Sequence, residues 1–178
     1  MIYSATEMEE KAVIMTAEKM CAAARTAPKA RGRDNIVTLV LTGEDKNALA
    51  DKMEEIYARE NDEKLSFFTR DARNLRDAAA LVLIGAKRES TLLTYCSYCG
   101  FENCAACMDN GGRCAFNMID LGIAVGSAVS AAADDRIDNR VLYTAGKAAA
   151  EMEYGGKDII WLAIPLSAKG KNIFFDRK

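Results

Sequence analysis

The 178-residue sequence predicts an α+β fold, a sheet flanked by helices that carries a small cysteine-rich insertion. Three observations lead there. Short apolar runs at residues 36–41, 79–85 and 158–165 are dense in β-branched and aliphatic side chains, as buried strands are. Longer segments between them place apolar residues at helical spacing. Five of the six cysteines fall between Cys96 and Cys114, and the chain has no histidine. Half of the residues are apolar, enough for one sizeable core, so a single domain over residues 1–178 is expected, with the insertion at about 92–116.

The first helix opens on a capping box, Ser4 with Glu7 or Thr6 with Glu9. Val13, Ala17, Met20, Cys21 and Ala24 share its inner face, which makes Cys21 a packing residue. Pro28 stops the helix near Ala27. Arg25, Lys29, Arg31 and Arg33 then form a basic loop that suits a phosphate or carboxylate, or solvent. Residues 36–41 read as a buried strand, and Thr42-Gly43 turns into a surface helix through Leu49, Met53, Ile56 and Tyr57. Charges at Arg70, Asp71, Arg73, Arg76 and Asp77 read as covering a short exposed helix before the strand at 79–85.

After the cysteines, residues 116–133 form a helix apolar nearly all round, a pattern expected at the centre of a domain. Gly122, Gly126 and Ser130 make a flat seam on it for a neighbouring helix, a second copy or a planar cofactor. Residues 134–139 read as a polar turn, 141–143 as a short strand and 145–153 as a helix stopped by Gly155-Gly156. The run at 158–165 is a strand ended by Pro165.

The cysteine stretch carries the chemistry. Short C-x2-C spacing brings two thiolates to one centre from a tight turn. No basic segment followed by an apolar stretch opens the chain, so a cytoplasmic protein with a metal is expected rather than disulfides. Two zinc knuckles are ordinarily separated by about 12–20 residues. Here only four residues lie between Cys99 and Cys104, which favours a larger iron–sulfur cluster. The expected ligands are Cys96, Cys99, Cys104 and Cys114, with Cys107 as the alternative. A 4Fe-4S cluster is favoured over 2Fe-2S, and zinc is the alternative metal. Gly100, Gly111 and Gly112 suit a loop that wraps closely round such a group.

The segment Ala22 to Ala30, the strand and turn that follow it, residues 78–84, residues 120–124 and the run 160–165 together resemble the nitroreductase-like flavoprotein fold. The stretches 114–129 and 164–177 resemble more closely a prokaryotic family of this length, described as containing a ferredoxin-like domain. The resemblance implies a redox protein, with FMN as flavin, a homodimer built around the central helix and an electron-donor protein as partner. Arg25, Lys29 and Arg31, with Arg177 from the tail, are the residues it offers to a flavin phosphate. The serine and asparagine usual in that family's phosphate loop are missing from residues 27–32.

The remaining chemistry excludes other classes. Without histidine there is no Ser-His-Asp or Cys-His nucleophile. A net charge of −2, with few basic residues and no aromatic interleaving, gives no nucleic-acid surface. No apolar run is expected to reach the ~20 residues that span a bilayer, so no membrane partner is expected either. The alternative to an electron-transfer or flavin-linked oxidoreductase is a non-enzymatic metal-binding module, a redox or metal sensor or a structural zinc protein.

Overall fold

Strand β2 (Ala80–Lys87) is buried on all but its last residue, and the other layers form around it. In the computed structural model, which describes residues 1–175, it pairs antiparallel with β1 (Ile36–Leu41) on one side and β4 (Ile159–Ser167) on the other. A short β3 (Asp138–Asn139) completes the order β1-β2-β4-β3.

Period-two alternation sends the two faces of β2 into different cores. Ala80, Val82, Ile84 and Ala86 meet α1 (Ala5–Thr26) and α5 (Ala115–Asp134). Leu81 and Leu83 meet α2 (Gly43–Glu60), α3 (Phe67–Asp77) and α6 (Tyr143–Glu151). The sheet is therefore sandwiched between helical layers. The α+β class and the sheet flanked by helices agree with the sequence reading.

Several local readings change. Residues 36–41 form an edge strand, half-buried along much of their length, because β1 has a partner on one side only. Helix α3 buries Phe68, Asp71, Ala72 and Leu75, so its charges cover one face of an otherwise packed helix. Asp71 is buried because Thr144 Oγ1 donates to it at 2.8 Å and Arg70 pairs with it at 2.7 Å.

Residues 141–143 do not form a strand: Leu142 makes a single bridge to Ala163, and Tyr143 begins α6. The pairing lies earlier, at Asp138 and Asn139. Pro165 sits inside β4 instead of ending it. Ala163 exchanges both backbone hydrogen bonds with Leu142, at 2.7 and 3.1 Å. Pro165, two residues on, turns its nitrogen to the same side, where residues 140–141 have left the strand. Its missing donor falls in that gap.

Helix α5 buries Leu121, Ala124, Val125, Ala128 and Ala132 against α1 and the sheet. By length and composition it is long and apolar enough to cross a membrane, contrary to the expectation that no segment is. Its opposite face is open: Ile119, Gly122, Ile123, Gly126 and Ser130 are exposed. It is a flanking helix packed on one side, and the glycine seam faces outward.

Helix α6 comes unusually close to β4. A Cβ on Gly146 would lie 2.0 Å from the Trp161 carbonyl oxygen, so only glycine permits this approach. Gly146→Ala is expected to destabilise the protein by about 1–3 kcal/mol through overpacking. Urea unfolding reads this as a lower midpoint with an unchanged slope.

Candidate functional site

Between β2 and α5 the chain leaves the sandwich and forms a lobe, residues 88–114, whose only regular element is the short helix α4 (Cys104–Asp109). Asn103 starts α4 by accepting from Ala106 N at 2.9 Å. The rest of the lobe has no ladder to satisfy its backbone, and Leu92, Tyr95 and Ser97 adopt left-handed conformations. Such positions persist only where the surroundings hold them.

Arginines supply the hold. Arg31 Nη1 donates to the carbonyls of Leu92 at 2.7 Å and Thr91 at 3.4 Å. Arg33 donates to Ser90 O at 3.1 Å. From the other side Arg88 reaches Met108 O at 2.7 Å and Gly112 O at 3.3 Å. Asn117, buried in the first turn of α5, donates to the carbonyls of Lys87, at 3.1 Å, and Glu89.

Held this way, the lobe encloses a cavity of about 400 Å³ lined by Cys96, Cys99, Cys104, Cys107 and Cys114 together. All five are free thiols. Among the described residues no group of three or more cysteine or carboxylate side chains is close enough together to hold a single metal ion. Cys107 is the buried one and lies in hydrogen-bond contact with Cys99. Burial pushes its thiol up, and the neighbouring Cys99, Cys114 and Cys104 push it further. A Cβ on Gly112 would fall 2.8 Å from both the Cys107 sulfur and its carbonyl oxygen, so glycine lets the chain close over that thiol.

Cys114 is the N-cap of α5. Burial works against its thiolate, but the Thr91 hydroxyl beside it and the nearby backbone N–H groups of Thr91, Asn117 and Phe116 favour the anion more strongly. The net shift is downward, toward the anion that binds metal. Helix N-termini favour such anions.

Three of the four residues offered to a flavin phosphate have partners within the chain. Lys29 is nearly buried, and its ammonium donates to the carbonyls of Arg25, Ala27 and Ala24 at 2.7, 2.8 and 3.1 Å, closing the C-terminus of α1. Arg25 donates to Asp34 and, at 3.0 Å, to Ile36 O. Arg31 holds the lobe, and Arg177 lies outside the described residues. Sequence reasoning missed Arg88, Thr91 and Asn117. The only signal available was their placement immediately around the cysteine run.

Residues 110–177 match a family model described as an uncharacterized protein containing a ferredoxin domain. A protein of Archaeoglobus fulgidus is 40% identical over 185 residues, covering 99% of this chain and 98% of its own length. The chain belongs to this family. The stretch matched by the family model contains Cys114 but begins after the other four clustered cysteines.

The fold is that of nitroreductase-like flavoproteins. A BluB-like flavoprotein from Clostridium difficile 630 superposes with a TM-score of 0.59 at 18% identity, covering 92% of this chain and 84% of that one. A nitroreductase with bound FMN from Desulfitobacterium hafniense DCB-2 gives 0.61 at 14% identity, covering 88% and 78%.

Arg88→Met removes the guanidinium bonds to the lobe while keeping the side-chain bulk. Amide hydrogen exchange over residues 104–112 is expected to accelerate at least tenfold, with the global unfolding midpoint nearly unchanged, because the lobe lies outside both cores. Lys29→Met strips three carbonyls of their donor, and with no ligand present a loss of about 2–3 kcal/mol is expected in urea unfolding.

Proposed function

We propose that the chain is an iron–sulfur redox protein, with a cluster held in the lobe by four of its five thiols and electrons exchanged with a partner protein or a flavin. The observation that carries this reading is the gathering of all five clustered cysteines around one cavity. Five soft thiols line the space, with Glu102 and several hydroxyl and amide side chains beside them. Thiolates suit both zinc and an iron–sulfur cluster, and the four residues between Cys99 and Cys104 favour the cluster. When bound, the cluster would supply one-electron chemistry.

The chain's own residues do the rest. Cys114, N-capping α5, offers the sulfur best prepared as an anion. Cys99 and Cys104 come from the loop and from the start of α4. The fourth ligand is Cys96, as spacing suggests, or Cys107, which lies against Cys99. Phe116, which lines the cavity, stacks on Tyr98 with ring centroids 5.5 Å apart.

Flavin is given no required part in this reading, because Arg25, Lys29 and Arg31 already have partners within the protein. Saturable FMN binding with thermal stabilisation would restore it, since a hundredfold excess over Kd adds about 2.7 kcal/mol. We also propose that a second copy covers the open face of α5. A Cβ added at Gly122 or Gly126 would meet nothing within 4 Å, and neither residue has a left-handed φ, so no contact inside the chain requires glycine there. Mid-helix glycine costs about 1 kcal/mol relative to alanine. Close approach of another helix would offset that cost.

Protein purified without oxygen is expected to be brown and to contain iron and acid-labile sulfide in similar amounts. Stoichiometric zinc without sulfide would overturn the reading in favour of a structural site. Single serine replacements at Cys99, Cys104 and Cys114 are expected to abolish the cluster. Of Cys96→Ser and Cys107→Ser, one is expected to abolish it and the other to retain it, which names the fourth ligand.

A further inference from the structure

Thr91 sits where the lobe, the sheet and α5 meet, and it is 1% exposed. Its hydroxyl has one hydrogen and two acceptors in reach, Asn117 Oδ1 at 3.1 Å and Cys114 Sγ at 3.4 Å. The Asn117 amide is fixed in orientation because its nitrogen donates to the carbonyls of Lys87 and Glu89. Its oxygen therefore faces Thr91, and it accepts a second hydrogen bond from Asn35 Nδ2 at 3.2 Å. That oxygen stays satisfied whichever way the Thr91 hydrogen points.

While Cys114 keeps its proton, the chain of donors runs from the thiol to Thr91 and from Thr91 to Asn117. A sulfur bound to metal has no proton and can only accept. The first link must then reverse, and the buried hydroxyl can turn without leaving a polar atom unpaired. The Thr91 backbone is tied in place, because its carbonyl accepts from Arg31 at 3.4 Å.

We propose that Thr91 is the positioning residue for the Cys114 sulfur, its hydroxyl turning from Asn117 to the ligand when the site is loaded and raising the reduction potential of the bound cluster. The inference rests on the iron–sulfur reading above and deepens it. Reduction adds negative charge, and a donor on a ligand sulfur stabilises that charge. Asn35 and Asn117 make the turn cheap by keeping the vacated acceptor occupied.

The test is a redox titration of anaerobically reconstituted protein, comparing the unaltered chain with Thr91→Val, Thr91→Ser and Asn35→Leu. Valine keeps the shape and loses the donor; it is expected to shift the reduction equilibrium about tenfold toward the oxidised form, or about 59 mV for one electron. Serine is expected to restore the unaltered value. Asn35→Leu leaves Thr91 in place but removes the competing donor, so the hydroxyl stays on Asn117 and the shift follows valine in direction. Equal potentials for valine and the unaltered chain at equal iron and sulfide content would overturn the proposal, as would serine behaving like valine.

If the unaltered chain assembles no cluster, the parent reading fails, and cobalt(II) titration then poses the same question. Thr91→Val is expected to weaken the thiolate–cobalt band's half-saturation about tenfold, and equal affinities would sink the role of Thr91.

Discussion

A backbone without secondary structure must find donors for its carbonyls, and this constraint shapes everything around the cysteines. Residues 88–103 have no ladder and no helix. Guanidinium groups replace the ladder: Arg31 and Arg33 reach in from the turn after α1, and Arg88 reaches from the end of β2. One guanidinium carries several donors in a rigid fork, so few side chains can pin a long irregular stretch. The left-handed residues at 92, 95 and 97 are tolerable because their neighbours are held.

Three further buried charges meet backbone groups in the same way. Lys29 closes the C-terminus of α1, and Lys46 does the same for α3 through the carbonyls of Leu75 and Arg76, at 2.8 and 2.9 Å. Asp120 accepts from Ala30 N at 3.1 Å, tying the turn after α1 to α5. Helix termini expose carbonyls and N–H groups that need partners, and these three ionic groups are mostly hidden because they meet that need. Cys114 is the N-cap residue of α5, and its side chain makes no capping hydrogen bond.

Much of the fold is legible because strands and helices advertise their period. The first helix, with the Ser4–Glu7 box and its stop at Ala27, reads nearly to the residue, since capping and proline act locally. The strand at 36–41 is placed by its pattern but reads as buried, because a run of aliphatics does not say how many neighbours it has. Pro165 misleads for a related reason: whether its missing donor matters depends on which strand lies alongside, a tertiary fact. Composition alone puts helix α5 at the centre of the domain, and composition cannot separate a surrounded helix from one whose outer face is apolar. The cysteine lobe is legible in its residues and spacing, but the side chains that shape it carry no pattern of their own: Arg88, Thr91 and Asn117 flank the cysteines, and Arg31, Arg33 and Asn35 come from far earlier in the chain.

The support of residue 91 is assembled from segments far apart in sequence: Arg31 and Asn35 come early, and Asn117 comes after the last cysteine. Synthesis runs from the N-terminus. The first four clustered thiols therefore leave the ribosome before α5 exists to hold them, and the best-prepared sulfur arrives last. During that interval the nascent chain carries a set of unprotected thiols on an unsupported loop. The order of the residues along the chain thus puts four of the thiols ahead of the helix that the fifth one starts.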